Sequence, residues 1–195
     1  MKITLLISLT LFCGYSAFAQ VTDDFEAGRK QWKNANSQCE PVISIKQARS
    51  GKQSYEAGTT AKCGIFKTIS PAVENATISI WFYDQAEATG ITAVSINNTE
   101  TKEVYMIGVR TATSTTNYSV RYGKDFKPTS VPRKTGWHEF KFVFTITGCE
   151  FFIDMQSVNK IQSGNKVDKV FLGSVWADIN TAPFYYDDLK IQMPQ

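Results

Sequence analysis

The chain has 195 residues, with 21 Lys+Arg against 18 Asp+Glu and a formal net charge of +3. This length suits one globular domain. Charges of both signs alternate along the chain without a basic cluster, which argues against a nucleic-acid-binding protein. Beyond the first 20 residues, no apolar stretch is long enough to cross a membrane.

The N-terminal segment has the pattern of a secretory signal. Lys2 supplies a short positive region, an apolar run follows over 3–12, and Ala17-Phe18-Ala19 is a small-x-small cleavage site. We therefore predict a signal peptide over 1–19 and a single domain over 20–195. The short signal and the cleavage before Gln20 indicate a bacterial protein that is secreted or periplasmic.

The dominant hydrophobic period along the rest of the chain is two, with turn signals roughly every ten residues. This pattern predicts an all-β fold with about twelve strands, which implies two stacked antiparallel sheets. Segments 111–116 and 124–134 are predicted to be loops. The predicted strands are 23–26, 38–47, 52–56, 63–69, 77–85, 91–97, 104–110, 118–122, 137–147, 149–155, 169–174 and 184–192.

Two of these strands carry clear facial patterns. In 137–147, one face consists of His138, Phe140, Phe142, Phe144 and Ile146, and this face must be buried. A turn at 147–148 then predicts an antiparallel hairpin with the next strand. In 77–85 both faces are apolar, so that strand is either covered on both sides or exposes an aromatic surface.

Four cysteines are present. Acylation of Cys13 as a lipoprotein is disfavoured, because the preceding Phe12 is not small. The exported chain then keeps Cys39, Cys63 and Cys149, which favours one disulfide and one remaining thiol. Cys39–Cys63 is the preferred pair, although sequence alone leaves the connectivity open. A single His makes a zinc site improbable.

An ordered set of phrases resembles a known fold family: DDFE at 23–26, SGKQSY at 50–55, ISIWFYD at 78–84, GWHEF at 136–140, FFID at 151–154 and FYYDDL at 184–189. Together they resemble the secreted concanavalin A-like (laminin-G-like) jelly-roll domains. The resemblance implies a two-sheet β-sandwich with a curved face that often holds glycan, and frequently a structural calcium ion. Asp154 is followed by Met155 where that family commonly has Gly, which predicts a longer or differently shaped turn. The galactose-binding-like carbohydrate modules are the second resemblance.

The terminal aspartates are the candidate metal ligands. On the last strand, Asp187 has the parity of Leu189 and Ile191, which places a carboxylate on a buried row where it must be paired, hydrogen-bonded or metal-bound. First and last strands often lie side by side in a jelly roll. Calcium could then bind Asp23, Asp24, Asp187 and Asp188; the alternative is solvated edge charges.

Catalytic motifs are weak. Glycosidases need two carboxyl groups about 5 to 10 Å apart, and the Glu-x-Asp-x-x-Glu strand of the sandwich glycosidases is absent. His138 is the only candidate base for a triad, but its place on the core row favours a structural role.

Carbohydrate binding requires fewer specific residues than catalysis, since sugars stack on exposed aromatic rings beside planar polar groups. The alternative for each aromatic residue is core packing. We predict a non-catalytic binder of a glycan, a cell-surface polysaccharide or another extracellular surface. A lyase or glycosidase of the same fold and an adhesion component without a small ligand stay open as alternatives. The candidate binding residues are Trp81, Tyr83, Tyr118, Arg121, Tyr122 and Trp176.

Overall fold

The computed structural model describes residues 19–37, 39–162, 164, 166–176 and 178–193. Apart from Ala19, the predicted signal peptide lies outside these residues, so its cleavage stays a prediction. Within them, no helix is long and apolar enough to span a bilayer. The described strands are β1 (Ala19–Asp23), β2 (Lys33–Asn34), β3 (Val42–Ser44), β4 (Ser54–Ala57), β5 (Gly64–Val73), β6 (Ala76–Asp84), β7 (Ile91–Asn97), β8 (Val104–Arg110), β9 (Asn117–Tyr122), β10 (Asp125–Pro132), β11 (Gly136–Thr145), β12 (Gly148–Ile153), β13 (Gln156–Ile161), β14 (Val167–Gly173) and β15 (Phe184–Met193).

These strands form two antiparallel sheets, which confirms the predicted all-β sandwich. The eight-stranded sheet has the order β13-β12-β11-β6-β15-β4-β3, and β1 also pairs with β15. The seven-stranded sheet has the order β10-β9-β8-β7-β14-β5-β2. First and last strands are indeed neighbours, with Asp23 opposite Leu189.

The core lies between the sheets and is rich in aromatic rings. Phe140 and Phe142 of β11 are fully buried and Phe144 is 3% exposed, as the alternation predicts. Burial of each such ring stabilises the fold by about 1.5–3 kcal/mol. Ile146 was expected on the same row, but it is 65% exposed. The reason is that β11 ends at Thr145 and Ile146 already belongs to the turn.

The central strand β6 has one face in the core and one on the outer surface. Its inward residue Phe82 stacks on Phe140 at 4.8 Å and on Phe184 at 5.5 Å between ring centroids. Trp81 and Tyr83 point away from the core and are half-buried. The strand is therefore covered by the sandwich on one side and carries aromatic rings on the other.

Three edge strands were not expected from sequence, namely the two-residue β2 and the longer β10 and β13. Segment 124–134 contains β10, so its assignment as a loop is wrong. β10 lies at the sheet edge, where Pro128 and Pro132 do no harm because they need not donate a ladder hydrogen bond. At the far edge of the other sheet, β13 is largely exposed and polar, which removes the apolar alternation that identifies a strand. The predicted loop at 111–116 is confirmed.

A two-residue turn joins β12 to β13, with Ile153 opposite Gln156. The expected longer turn is therefore wrong. Asp154 and Met155 both adopt positive φ, 48° and 66°, the backbone of a type I′ hairpin. The Asp154 carboxylate stabilises this conformation, since it accepts a hydrogen bond from the Glu139 amide at 2.9 Å.

The predicted disulfide Cys39–Cys63 is confirmed. It joins the segment before β3, in one sheet, to the residue that precedes β5 in the other. Cys149 is a free thiol, 2% exposed, and burial raises its pKa above the ordinary range. The bridge therefore fastens the two sheets, and the third cysteine behaves as a small core residue.

Candidate functional site

The predicted binding residues fall on three different parts of the sandwich. Trp81 and Tyr83 lie on the outer face of the eight-stranded sheet, Tyr118 and Tyr122 point into the core, and Arg121 and Trp176 lie on the outer face of the seven-stranded sheet. The structure thus divides the predicted residues into three separate groups.

Strand β9 alternates between the core and the outer face. Tyr118 is fully buried and packs edge-to-face on Phe140 at 5.3 Å, so its prediction as a stacking residue is wrong. Tyr122 packs on Tyr105 at 5.3 Å, and its hydroxyl donates to Glu103 Oε1 at 2.9 Å. The intervening Arg121 points to the opposite side, because successive side chains of a strand alternate.

On the eight-stranded sheet, the Arg49 side chain covers the ring of Trp81. The Arg49 guanidinium carbon lies 4.2 Å from the ring centroid, a cation–π contact. Tyr83 makes edge contacts with Trp137 at 5.4 Å and with Tyr185 at 5.9 Å. These rings form a packed, half-buried aromatic surface in which the Arg49 side chain already covers one possible sugar platform.

Asp187 does not lie on the inward row, and the parity argument for it is wrong. The ladder between β15 and β6 pairs Asp187 with Trp81 and Lys190 with Ser79, so β15 carries one extra residue. This β-bulge is centred on Asp188, whose φ is 50°. Because a bulge inserts one extra residue, the side chains on its two sides no longer follow a single inward–outward alternation. Asp187 therefore shares the outer face with Trp81.

Asp187 is nevertheless buried, because the loop at 49–50 covers it. Its carboxylate accepts hydrogen bonds from the amides of Arg49 at 2.7 Å, Ser50 at 3.2 Å and Asp188 at 2.8 Å. Burial raises the pKa of Asp187 to about 6, although these three amides oppose the shift. Three backbone N–H groups thus stabilise this buried carboxylate.

The other terminal aspartates also have protein partners. Asp23 Oδ2 accepts from Trp32 Nε1 at 2.9 Å and from Lys67 Nζ at 3.2 Å, and Asp188 Oδ1 accepts from Ser50 Oγ at 2.6 Å. Asp23, Asp24 and Asp188 line one cavity of about 470 Å³. Among the described residues, no three acidic, His or Cys side chains are grouped closely enough to hold a metal ion. Calcium binding at these aspartates stays a prediction, which a chelator titration of the melting temperature tests.

His138 has a structural environment. Its Nδ1 lies 2.6 Å from Asp154 Oδ2 and its Nε2 lies 2.9 Å from the Lys134 carbonyl oxygen. Both partners are oxygen acceptors, so the ring is held by a hydrogen bond at each nitrogen. The histidine thereby connects β11 to the 154–155 turn and to the segment after β10.

The outer face of the seven-stranded sheet has a row without large side chains. Ser119, Gly108, Ala93, Gly173 and Gly64 lie opposite one another across five strands. A Cβ on Gly108 would come within 2.2 Å of the Thr92 carbonyl oxygen, so a larger residue does not fit there. We call this the floor row. Ser119 and Ala93 are each 2% exposed although they face outward.

A second row runs beside the floor row and carries the functional groups. It contains Phe126, Arg121, Met106, Ser95, Phe171 and Phe66 in sheet order. We refer to the two rows together as the concave face, after the curved face that the family resemblance implies. None of the described side chains in them is a carboxylate or a histidine.

Trp176 lies three residues after the end of β14 and reaches across the outer face of the seven-stranded sheet. β14 and β10 are separated by three strands, which corresponds to about 19 Å in a flat sheet at about 4.8 Å per strand. Yet Trp176 and Phe126 of β10 have ring centroids only 5.7 Å apart. The loop after β14 therefore carries the Trp176 ring back across the sheet to Phe126.

Two arginines surround the Phe126 ring. The guanidinium carbons of Arg110 and Arg121 lie 4.6 Å and 5.2 Å from its centroid, and Arg121 also lies 5.7 Å from the Trp176 ring. Among the described residues, neither arginine has a carboxylate within ion-pair distance. Burial, and secondarily the charge of Arg110, lower the pKa of Arg121.

Sequence reasoning found Arg121 and Trp176 at this site but missed Arg110 and Phe126. Phe126 belongs to β10, and with that strand assigned as a loop nothing places its ring opposite Arg121. Arg110 ends β8 and could have been found by its outward parity with Met106. Prediction of the pairing between β9 and β10 would have placed these four residues at one site.

No protein-family model matches the chain, and no curated protein matches its sequence. Solved structures share its fold at low identity. Crh5 transglycosylase in complex with NAG has a TM-score of 0.62 at 14% identity over 93% of this chain and 86% of that one. The Bacillus licheniformis β-glucanase has a TM-score of 0.63 at 10% identity over 90% and 98%.

Domain 4 of AbnA, an extracellular arabinanase from Geobacillus stearothermophilus solved with arabinotriose, has a TM-score of 0.62 at 12% identity, over 89% of this chain and 91% of that one. Identities this low establish the architecture alone. The chain therefore has the concanavalin A-like jelly-roll fold that its sequence predicts.

Proposed function

We propose that this protein binds a carbohydrate chain on its concave face. The observation that carries the proposal is the contact of Trp176 with Phe126 and Arg121 on the outer face of the seven-stranded sheet. Sugar rings stack their C–H faces on aromatic rings and accept hydrogen bonds from planar donors. The cluster supplies both kinds of group.

Several properties of the molecule favour binding over hydrolysis. A glycosidase needs two carboxyl groups that flank the bond to be cleaved, and the described side chains of the two rows include none. The Trp81 ring on the opposite sheet is already covered by Arg49, which favours the concave face over that surface. Similar folds solved with NAG and with arabinotriose support a saccharide as the ligand class.

Export belongs to the same proposal. The Cys39–Cys63 bridge is typical of compartments that permit disulfides, such as the periplasm or the cell exterior. Polysaccharides are accessible there, so the compartment and the proposed ligand agree.

A glycan array followed by calorimetry tests this function with two matched variants. Trp176→Ala removes the ring on the concave face, and Trp81→Ala removes a half-buried ring on the other sheet. We expect the wild type and Trp81→Ala to bind the same glycans and Trp176→Ala to lose at least tenfold in affinity, with all three folded by circular dichroism. Unchanged binding by Trp176→Ala would refute the site. Release of reducing ends or unsaturated uronates from any bound polysaccharide would replace binding with catalysis.

A further inference from the structure

We propose that the ligand of the concave face is an anionic saccharide, held through the guanidinium groups of Arg110 and Arg121. This inference rests on the proposed glycan-binding function and narrows its ligand class. Its chemistry is that of a carboxylate or sulfate group carried on a sugar ring, as in a polyuronate or a sulfated polysaccharide.

The first support is the unbalanced charge of the arginine pair. Both guanidinium groups lie over the same ring, so two positive charges are close together, and like charges destabilise one another. Among the described residues, Arg110 donates to Thr113 Oγ1 at 2.7 Å, and Arg121 donates from Nε to the Gly123 carbonyl oxygen at 2.6 Å. A guanidinium has five N–H donors in a planar fork that matches a carboxylate. A bound anion would therefore satisfy donors and charge at once.

The second support is the charge around the face. Next to the two rows lies a cavity of about 290 Å³ that is lined by Lys102, Glu103 and Lys169, among others. The Glu103 oxygens already accept from Tyr122 and Thr101, whereas the two lysines have no carboxylate within ion-pair distance among the described residues. This end of the face therefore also attracts anions.

A cavity on the opposite sheet has the reverse charge. This cavity, of about 470 Å³, is lined by Asp23, Asp24, Glu139 and Asp188 with a single basic residue, Lys190. A net charge of +3 that was distributed evenly over the surface would not give the two sheets regions of opposite charge. This cavity and the half-buried arginine pair thus carry opposite charges on the two sheets.

The third support comes from polar groups that have no partner. Ser119 is 2% exposed, lies in the floor row, and its hydroxyl has no hydrogen-bond partner among the described residues. Asn97 Oδ1, which points to the same side of β7 and lines the neighbouring cavity, is also buried and unpaired there. Unpaired buried groups cost stability, and sugar hydroxyls can both donate and accept. A saccharide that bears an anion therefore fits this face better than a simple inorganic ion.

The test compares ligands that differ only in charge. Isothermal titration calorimetry would use oligogalacturonate and its fully methyl-esterified form, which keeps the sugar backbone and removes the carboxylate charge. Dextran sulfate and dextran form the second pair and separate sulfate from carboxylate recognition. We expect the charged member of at least one pair to bind tenfold or more tightly than its neutral partner, with affinity that falls as salt is added.

Four variants locate the interaction. Arg121→Gln and Arg110→Gln remove one charge each from the face and are expected to weaken binding about tenfold or more. Arg121→Lys keeps the charge but loses the planar fork, so most of the loss should persist. Lys141→Gln is the matched control, because Lys141 lies 4.8 Å over the Phe152 ring on the other sheet and its loss removes the same charge. Binding by this control should stay within about twofold of the wild type.

The outcomes are distinguishable. Equal affinity for charged and neutral members of both pairs would overturn the anionic ligand while leaving glycan binding intact. An equal loss in Lys141→Gln and Arg121→Gln would reduce the effect to net charge and also overturn the inference. Failure of the wild type to bind any saccharide would instead refute the proposed function itself.

Discussion

Replacement of Arg133 by Met should destabilise the protein strongly. Arg133 directly follows β10 in the seven-stranded sheet, and Asp84 ends β6 in the eight-stranded sheet. Arg133 donates to the carboxylate through Nε at 2.9 Å and through Nη2 at 2.7 Å. Their side chains are 2% and 0% exposed. This buried bidentate pair therefore connects the two layers of the sandwich at one end.

The expected magnitude follows from what Arg133→Met leaves behind. The Asp84 carboxylate would stay buried without its counter-charge, and removal of one partner of a buried pair costs about 3–5 kcal/mol. For a domain of this size, about 2–4 °C of melting temperature is lost per kcal/mol, so a shift of about 10 °C is expected. Arg133→Met with Asp84→Asn leaves neither charge unpaired, and the double variant should recover part of the loss.

Urea denaturation followed by tryptophan fluorescence measures the change. Lys166→Met is the matched control, since Lys166 and Glu74 form an ion pair at 3.0 Å whose side chains are 59% and 47% exposed. Pairs of that kind contribute about 0–1 kcal/mol. The reasoning fails if Arg133→Met lies within 1 kcal/mol of the wild type, or if the two variants lose equal stability.

Other expectations follow from individual groups. Burial raises the pKa of the Cys149 thiol, so a thiol reagent should label it only after denaturation, and labelling of the folded protein would contradict its core position. Met155 is 80% exposed with φ 66°, so Met155→Gly should raise the free energy of unfolding by up to about 1 kcal/mol; a loss measured by urea titration would count against turn strain. Burial also raises the pKa of the Tyr55 and Tyr186 phenols. Above about pH 10 the unfolded chain then releases protons that the folded chain keeps, so stability should fall as the pH rises, and a urea midpoint that stays constant there would argue against buried phenols.

Local patterning predicted the interior of this molecule well. The period-two alternation of β11 placed Phe140, Phe142 and Phe144 in the core, because a strand with one buried face must carry its apolar residues at every second position. The same logic identified β6 as a strand with two apolar faces. The Cys39–Cys63 bridge was also the preferred pair.

The same alternation failed where the chain leaves the regular ladder. A single extra residue at Asp188 transferred Asp187 to the outer face, and no local pattern announces such a bulge. At the edges, β10 and β13 have one unpaired side each, so they tolerate Pro128 and polar side chains that a central strand excludes. These are tertiary effects, because the residues that a strand can carry depend on whether it is paired on one side or on both.

The candidate site shows most clearly which features depend on local sequence and which depend on tertiary structure. The amino-acid sequence by itself determined the all-β class, the sandwich core and the outward placement of Arg121, because each of these depends on residue type and local period. Only the tertiary structure decided that Tyr118 is buried, that Trp81 is covered by Arg49, and that Trp176 meets Phe126 across the seven-stranded sheet. Those contacts join segments that are distant in the chain, and the strand pairing that brings them together is a property of the assembled sheets.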